Sequence, residues 1–267
     1  MKHLASLSLL TFFAALTITT AAQPKLWNGK QCTVVLTYDD ALEVHLDNAI
    51  PSLDSMGFKG TFYLSAAFPG FKNRVEDWRK AARHGHELAN HSLFHPCASD
   101  APGRDWVSAD YDLSHYSVRR MTDEIRVNNM VLNLLDGKTK RTFAYPCGDM
   151  TATGTSYVEA IKGDFVAARG TKSEIITNIK DIDLFNVSSY VVSNHTGEAL
   201  INLVKDTMKQ KGLIVFMFHG VGGGHNINVD LKAHQQLLHY LKQNEKSIQI
   251  TTFIDVVEEI ARYNGRK

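Results

Sequence analysis

Short runs of apolar residues alternate with amphipathic segments along most of the chain. Two runs, CTVVLTY from Cys32 and LIVFMFH from Leu213, are almost continuously apolar, as is typical of parallel strands covered on both faces. The pattern predicts eight strands, at Cys32–Tyr38, Gly60–Leu64, His86–Ala89, Arg141–Tyr145, Phe165–Ala168, Leu184–Val192, Leu213–Phe218 and Ile248–Thr251. It also predicts six helices, at Val44–Met56, Arg74–His84, Ser117–Leu135, Gly197–Lys209, Leu231–Gln243 and Phe253–Tyr263.

Strands interleaved with helices, without a linker or a low-complexity stretch, predict a single parallel α/β domain. A (β/α) barrel and an open doubly wound sheet both fit this order of elements. Asn73 is predicted to cap the helix that follows it, and Gly85 and Gly137 are predicted to end helices. Either architecture collects its functional side chains just after the C-terminal ends of the strands.

The first 22 residues follow a different pattern. Lys2 and His3 give a basic start, an apolar stretch runs from residue 4 to 19, and small residues precede Gln23. We therefore expect a signal peptide over residues 1–22, a domain over residues 23–267, and export to the periplasm, the cell surface or the medium. An uncleaved membrane anchor is the alternative, but the stretch is short and interrupted by Ser and Thr, so it would span a bilayer poorly.

Composition and charge exclude several classes of protein. Of the 267 residues, 44% are hydrophobic and 21% are charged, which argues against a disordered or fibrous chain. The 29 Lys and Arg residues nearly balance the 28 Asp and Glu residues, so no electrostatic feature favours nucleic acid or an anionic membrane as a partner.

Three cysteines remain after the predicted signal peptide. Cys32 opens an apolar strand and is expected to be a packing residue. Cys97 and Cys147 each follow a proline, and we hypothesise a disulfide between them; spacing alone does not establish its geometry, and two free thiols are the alternative.

Polar chemistry follows two of the predicted strands. Asp39 and Asp40 end the first strand, where two adjacent carboxylates repel each other unless a cation compensates them. His91 and His95, spaced i and i+4, can direct both imidazoles at one ion. Together with a carboxylate they predict a two-His, one-carboxylate metal site. Taken alone, the two aspartates are better explained as an exposed turn that caps the next helix, and many His-x-x-x-His pairs arise by chance.

A third polar position is His219, directly after the strand at residues 213–218. A histidine there is either catalytic or structural. The glycines at 222–224 lack the Gly-Lys-Ser/Thr ending of a phosphate loop, which argues against nucleotide binding. Surface or hydrogen-bonded positions are expected for seven further histidines, namely His84, His86, His115, His195, His225, His234 and His239.

Four segments resemble the motifs of the NodB-like polysaccharide deacetylases, the fourth carbohydrate esterase family. The segment at residues 37–41, Thr-Tyr-Asp-Asp-Ala, resembles Thr-Phe-Asp-Asp-Gly, and residues 91–95 match His-Ser/Thr-x-x-His. Residues 144–148, Ala-Tyr-Pro-Cys-Gly, resemble Arg-x-Pro-Tyr-Gly, and residues 215–219 resemble the strand that ends in the last motif's histidine. The resemblance runs from Cys32 to about Ile260.

This resemblance implies a fold, an activity and a set of roles. The fold would be a single-domain distorted (β/α) barrel, and the activity would be metal-dependent hydrolysis of N- or O-linked acetyl groups from an acetylated polysaccharide or oligosaccharide. The cation would be zinc, with cobalt, nickel or manganese as alternatives. Its ligands would be Asp40, His91 and His95. The remaining roles would fall to Asp39 as general base, His219 as general acid and the backbone N–H of Cys147 as oxyanion donor.

The departures from the family motifs carry their own expectations. Ala144 replaces the arginine that pairs with the base in relatives, so Asp39 is expected to be less tethered; Arg169, at another strand end, is a hypothetical substitute for that arginine. The family's fourth motif is not visible, which leaves the orienter of His219 unidentified. The irregular segment at residues 96–116 carries Trp106, Tyr111 and Tyr116, whose rings would either stack on sugars or cap the barrel.

Three alternatives to the deacetylase interpretation remain open. The scaffold could cleave other amides, although expected export argues against soluble nitrogen metabolites as substrates. It could be a carbohydrate-binding protein with lost turnover, which Ala144 favours. The metal could also be purely structural, although such a site is closed by four protein ligands and the sequence offers three.

Overall fold

The computed structural model describes residues 26–265. The predicted signal peptide lies outside these residues, so it remains a prediction, as does the division of the chain at residue 23. No helix within residues 26–265 has both the length and the apolar character needed to cross a bilayer.

Eight parallel-paired strands form one curled sheet. They are β1 (Cys32–Asp39), β2 (Thr61–Leu64), β3 (Glu87–Asn90), β4 (Thr142–Ala144), β7 (Ala167–Arg169), β8 (Tyr190–Val191), β9 (Leu213–Phe218) and β12 (Ile248–Thr251). The strand order is β7-β4-β3-β2-β1-β9-β8, with β12 paired to the first half of β1. Two small two-stranded pairs lie outside it, β5 (Thr151–Ala152) with β6 (Thr155–Ser156) and β10 (Gly220–Val221) with β11 (Asn228–Val229).

Helices connect the strands. They are α1 (Ile50–Met56), α2 (Pro69–Lys72), α3 (Val75–Arg83), α4 (Val118–Asp136), α5 (Val158–Ile161), α6 (Gly197–Gln210), α7 (Leu231–Gln243) and α8 (Phe253–Tyr263). A π-helical segment, His45–Ala49, precedes α1, and short 3-10 turns occur at Leu26–Gly29, Ala109–Tyr111, Leu113–His115 and Pro146–Gly148.

The sheet curls into a barrel-like shape because the segment that contains β8, at one end of the strand order, also contacts β7 at the other end. Val187 forms a parallel bridge with Arg169 in β7, and three residues later Tyr190 in β8 pairs with Phe216 in β9. The long strand predicted over residues 184–192 is therefore wrong in extent: only Tyr190–Val191 forms a strand, since the segment leaves one neighbour to reach the other.

Alternation along β1 separates two faces of the sheet. Val34, Leu36 and Tyr38 pack into the cluster beneath the helices, whereas Val35 packs into a second cluster inside the curl. By the two-residue period of a strand, Asp39 lies on the same face as Val35, directed toward the interior. The register of the parallel pairs places the last residues of β1, β3, β4, β7 and β9 at one rim.

The helix-end predictions are confirmed at two positions and wrong at one. Gly137 is the left-handed cap of α4, and Gly85, with φ of 92°, follows α3. Asn73 does not cap α3, which begins after Arg74 without a side-chain cap bond, because the short helix α2 ends at Asn73.

Candidate metal centre and active-site pocket

The rim of the sheet carries a pocket of about 310 Å³ in which the sequence-predicted site residues meet. Its lining comprises Asp39, Asp40, His91, His95, Trp106, Tyr145, Cys147, Gly148, Thr171, Val191, Met217, His219, His225 and Ile227. These side chains come from segments up to 188 positions apart, so the parallel register of the strands brings them together.

Asp40, His91 and His95 converge on one point. Asp40 Oδ1 lies 3.5 Å from His91 Nε2 and 3.3 Å from His95 Nε2, and the two imidazole rings are 4.6 Å apart between centroids. The buried Asp40 Oδ1 accepts no hydrogen bond from the described residues. A divalent cation bound between this oxygen and the two imidazole nitrogens would satisfy all three atoms. The three residues therefore fit a metal.

The protonation of this group suits metal binding. His91 Nδ1 lies 2.9 Å from the carbonyl oxygen of Ala144, to which it donates as the N–H tautomer, leaving Nε2 unprotonated as a ligand. Burial first, and the neighbouring His95 second, hold the pKa of His91 well below its usual value. Burial also acts on Asp40 by raising its pKa, but three surrounding histidines outweigh burial and the net shift is downward.

The turn after β1 has an unusual backbone. Asp40 has φ of 80° and the buried Ala41 has φ of 53°, both in the left-handed region that glycine adopts most readily. This conformation explains why glycine is the usual residue at position 41 in the family motif. The turn directs Asp40 away from the alternation of the strand, so that two successive carboxylates can play different roles.

Asp39 is held by Arg169 in a buried ion pair between Oδ2 and Nη2. Arg169 also donates from Nη1 to Ser189 Oγ at 3.1 Å, and its guanidinium lies 4.9 Å from the centre of the Tyr63 ring. The other oxygen of Asp39, Oδ1, is buried and has no hydrogen-bond partner in the described part of the chain. Expecting a less tethered Asp39 was therefore wrong.

Strand register explains how Arg169 replaces the family arginine. Ala144, where the family has arginine, pairs directly with Arg169 across β4 and β7. Ala144 and Ala167 belong to the interior cluster, so Arg169, two positions after Ala167, lies on the same face. A guanidinium from the neighbouring strand thus reaches the carboxylate that an arginine at position 144 would reach.

Cys147 lies in the 3-10 turn after β4 and forms a disulfide with Cys97. Their Cα atoms are 5.8 Å apart, so the hypothesised pairing is confirmed, and Cys32 is buried and free as expected. Cys147 and Gly148 have φ of 56° and 76°. The disulfide ties this turn to the segment just after His95.

His219 faces the other oxygen of Asp40, with Nε2 3.9 Å from Oδ2. Burial lowers the pKa of His219. Its carbonyl oxygen accepts a hydrogen bond from His45 Nε2 at 2.7 Å, whereas its Nδ1 is buried without a partner among residues 26–265. His45 therefore holds the backbone of His219, and no side chain in that range orients the ring through Nδ1.

His225 is a pocket residue that the sequence analysis missed. Its ring stacks on His219 at 5.0 Å between centroids, and its Nε2 lies 3.9 Å from Asp40 Oδ2. The amide of Ile227 donates to His225 Nδ1 at 2.9 Å, so the proton of the neutral ring is on Nε2, facing the pocket. The only available signal was its place six residues after His219, beyond three glycines.

The aromatic residues of segment 96–116 differ in burial and in what they contact. Trp106 is 65% exposed and lines the pocket. Tyr111 stacks on Phe94, with 5.2 Å between ring centroids. Tyr116 is buried under the guanidinium of Arg120, so it has a packing role.

Comparison with protein families identifies the chain. Residues 28–163 match the model of the family described as polysaccharide deacetylase. The chain belongs to the polysaccharide deacetylase family. No curated protein matches it significantly.

Solved structures of the family share its fold. A proposed polysaccharide deacetylase from Mycobacterium smegmatis is 14% identical, with a TM-score of 0.65 over 93% of this chain and 96% of that one. The catalytic domain of a peptidoglycan N-acetylglucosamine deacetylase from Eubacterium rectale is 15% identical, with a TM-score of 0.55 over 88% and 93%. The Xyl-CE4 domain of a multidomain xylanase from the hindgut metagenome of Trinervitermes trinervoides is 16% identical, with a TM-score of 0.53 over 85% and 90%. The expected NodB-like (β/α) barrel is confirmed.

Proposed function

We propose that this family member is a metal-dependent hydrolase that removes acetyl groups from a polysaccharide or oligosaccharide. One observation carries the proposal: Asp40, His91 and His95 converge on a single point while the adjacent Asp39 is held apart by Arg169. The two carboxylates and one guanidinium leave one net negative charge, which a bound cation would compensate.

The metal would be held by Asp40, His91 and His95, and we propose zinc on the basis of two imidazoles and one carboxylate. A cation bound there supplies a Lewis acid for the acetyl carbonyl and for the attacking water. Three protein ligands leave positions open for substrate, unlike a closed structural site.

Asp39 is the general base in this proposal. Arg169 pairs with Oδ2, so Oδ1, which has no hydrogen-bond partner among residues 26–265, is the atom that accepts the proton of the attacking water. The guanidinium also keeps the carboxylate on the interior face of the sheet, turned toward the pocket. A positioned base of this kind supplies about 10²–10⁴ in rate.

The remaining groups act on the developing charges. The amide N–H of Cys147 donates to the oxyanion formed from the acetyl carbonyl, and one such donor is worth about 3–4 kcal/mol. His219 Nε2 donates a proton to the departing oxygen or nitrogen of the sugar. An amide nitrogen needs that proton more than an ester oxygen, so His219 permits both N-acetyl and O-acetyl substrates.

The substrate is placed by the open side of the pocket. We propose that the exposed Trp106 indole contacts a sugar ring next to the acetylated one. Export of the protein through residues 1–22 remains part of this proposal, because extracellular polymers are its substrates.

The binding-protein alternative loses its main support. It rested on the missing arginine at position 144, and the ion pair between Arg169 and Asp39 restores a guanidinium to the same carboxylate.

The test is acetate release from acetylated xylan, chitooligosaccharide and peptidoglycan, before and after removal of metal by a chelator. We expect release from at least one substrate, loss with chelator and recovery with zinc. Asp39→Asn should retain bound metal but lose turnover, whereas His91→Ala should lose the metal. His195→Ala, on an exposed loop, is the matched histidine control. A near-normal rate in Asp39→Asn would overturn the base assignment, and absence of release from all three polymers would overturn the function.

A further inference from the structure

His95 presents its two ring nitrogens to two different groups. Nε2 lies 3.3 Å from Asp40 Oδ1, whereas Nδ1 lies 3.6 Å from Cys97 Sγ. Metal-binding histidines usually donate from the second nitrogen to an oxygen, as His91 does to Ala144. Within residues 26–265, the hydrogen-bond partner of His95 Nδ1 is instead a sulfur atom of the disulfide.

The sulfur atoms of Cys97 and Cys147 and a nitrogen of His95 all lie within 4.8 Å of one another. In a tetrahedral zinc site, with Zn–S of about 2.3 Å and Zn–N of about 2.0–2.1 Å, a nitrogen and a sulfur ligand are separated by about 3.6 Å. The observed separation of His95 Nδ1 and Cys97 Sγ is 3.6 Å. Two sulfurs and one imidazole nitrogen are a soft donor set that selects thiophilic cations.

In the disulfide form the two sulfurs are bonded to each other and are not thiolates. A dithiol reductant can reach the bond, because Cys147 lines the pocket while Cys97 is 1% exposed. The reductant's thiolate would attack Cys147 Sγ and release Cys97 as a thiolate, and its second thiol would then release Cys147. The reductant becomes a disulfide, the cysteines gain two electrons, and both take up protons from solvent.

The cysteines would stay close together after reduction because Arg104 also connects their segments. Its guanidinium donates to the carbonyl oxygen of Cys147 at 2.9 Å and to that of Ala98 at 3.1 Å. The amide of Ala98 donates to Asp149 Oδ2 at 2.8 Å, which is a second link between the same segments. These contacts do not depend on the disulfide bond.

We infer that the reduced protein has a second metal site, formed by Cys97, Cys147 and His95 Nδ1, with solvent in the fourth position. A cation there displaces the thiol protons and the Nδ1 proton to solvent. His95 then bridges two cations, since its Nε2 faces the first site. The redox state of one disulfide thereby sets how many metals the active-site pocket holds. This inference shares only His95 with the metal centre of the proposed function.

The test is titration with Co²⁺ of the metal-free full chain, either oxidised or reduced with a dithiol that is then removed under anaerobic conditions. We expect one bound equivalent in the oxidised protein and two in the reduced protein. The second equivalent should bring the thiolate-to-cobalt charge-transfer absorption. One equivalent in the reduced protein without that absorption would overturn the inference.

Two variants separate this inference from the proposed function. Reduced Cys97→Ser/Cys147→Ser should bind one equivalent without thiolate absorption. Reduced Asp40→Ala/His91→Ala should still bind one equivalent of cobalt and show the thiolate absorption. Loss of that absorption in this variant would count against an independent thiolate site. Thiolate absorption in reduced wild type, combined with no metal bound in the oxidised form, would support the second site and refute the proposed metal centre. The comparison of two redox states of wild type requires no variant to fold.

Discussion

Replacing Arg169 with methionine should both destabilise the protein and stop catalysis. The side chains of Arg169 and Asp39 are 1% and 3% exposed, so the substitution leaves an unpaired buried carboxylate next to Asp40. Breaking a buried ion pair in this way costs about 3–5 kcal/mol. Because the guanidinium also fixes the orientation of the proposed base, we expect kcat to fall by about 10²–10⁴, the contribution of a positioned base.

Arg141→Met is a matched control for the loss of stability. Arg141 forms a second buried ion pair with Asp136, and both side chains are 2% exposed. It precedes β4 and donates to the carbonyl oxygen of Leu88, so it lies at the end of the strand opposite to Ala144 and the pocket. The same cost of about 3–5 kcal/mol is expected, with kcat retained in the folded fraction.

The assay combines urea unfolding with acetate-release kinetics at a temperature where both variants are folded. A double-mutant cycle adds Asp39→Asn, which removes the buried charge. In that background Arg169→Met should cost much less stability, since no carboxylate is left unpaired. If Arg169→Met lost no more activity than Arg141→Met, the assignment of Arg169 as the residue that positions Asp39 would be wrong.

Three further predictions concern the disulfide, the missed histidine and acid stability. Cys97→Ala/Cys147→Ala should lower the free energy of unfolding by about 4 kcal/mol, the chain-entropy value for cysteines separated by 50 positions; a loss below about 1 kcal/mol in urea unfolding would contradict it. His225→Phe keeps an aromatic ring at this position but removes the pocket-facing N–H. We therefore expect kcat/KM on an acetylated oligosaccharide to fall about tenfold, the equivalent of one hydrogen bond. An effect no larger than that of His195→Phe would refute this role. Burial lowers the pKa of His234 from its ordinary value of 6.5 to about 3 in the folded protein. Between these two pH values the unfolded chain binds the proton and the folded protein does not. The free energy of unfolding should therefore fall by about 1.4 kcal/mol per pH unit as pH drops from 6.5 toward 3. His234→Gln should remove that share of the slope in urea unfolding measured across this range; an unchanged slope would show that His234 titrates normally.

The elements that the sequence predicts well are those whose pattern is local. The bounds of β9, β12, α7 and α8 agree with the prediction, because an apolar run or a helical period is present in the residues themselves. The strand predicted over residues 184–192 failed for the opposite reason. Its residues are apolar enough, but strand length depends on which neighbours offer backbone partners. These are distant along the chain: Arg169 lies 18 positions before Val187, and Phe216 lies 26 positions after Tyr190.

The candidate site likewise combines residues that the sequence predicted with a contact that only the fold produces. Asp39, Asp40, His91 and His95 stand in short motifs whose spacing is visible in the sequence, and the structure brings these four side chains together. The partner of Asp39 depended on register: Arg169 reaches it because β7 lies beside β4 with Ala144 and Arg169 paired. A pairing between distant strands is decided by tertiary packing, and the sequence could only suggest it.

The sequence by itself determined the family, the order of the elements and the set of side chains proposed as metal ligands, since each depends on residues close together along the chain. The tertiary structure decided which oxygen of Asp39 pairs with Arg169, that Cys97 meets Cys147, and that His225 stacks on His219. These contacts join residues through the curl of the sheet and the path of its loops, which arise only when the whole core packs.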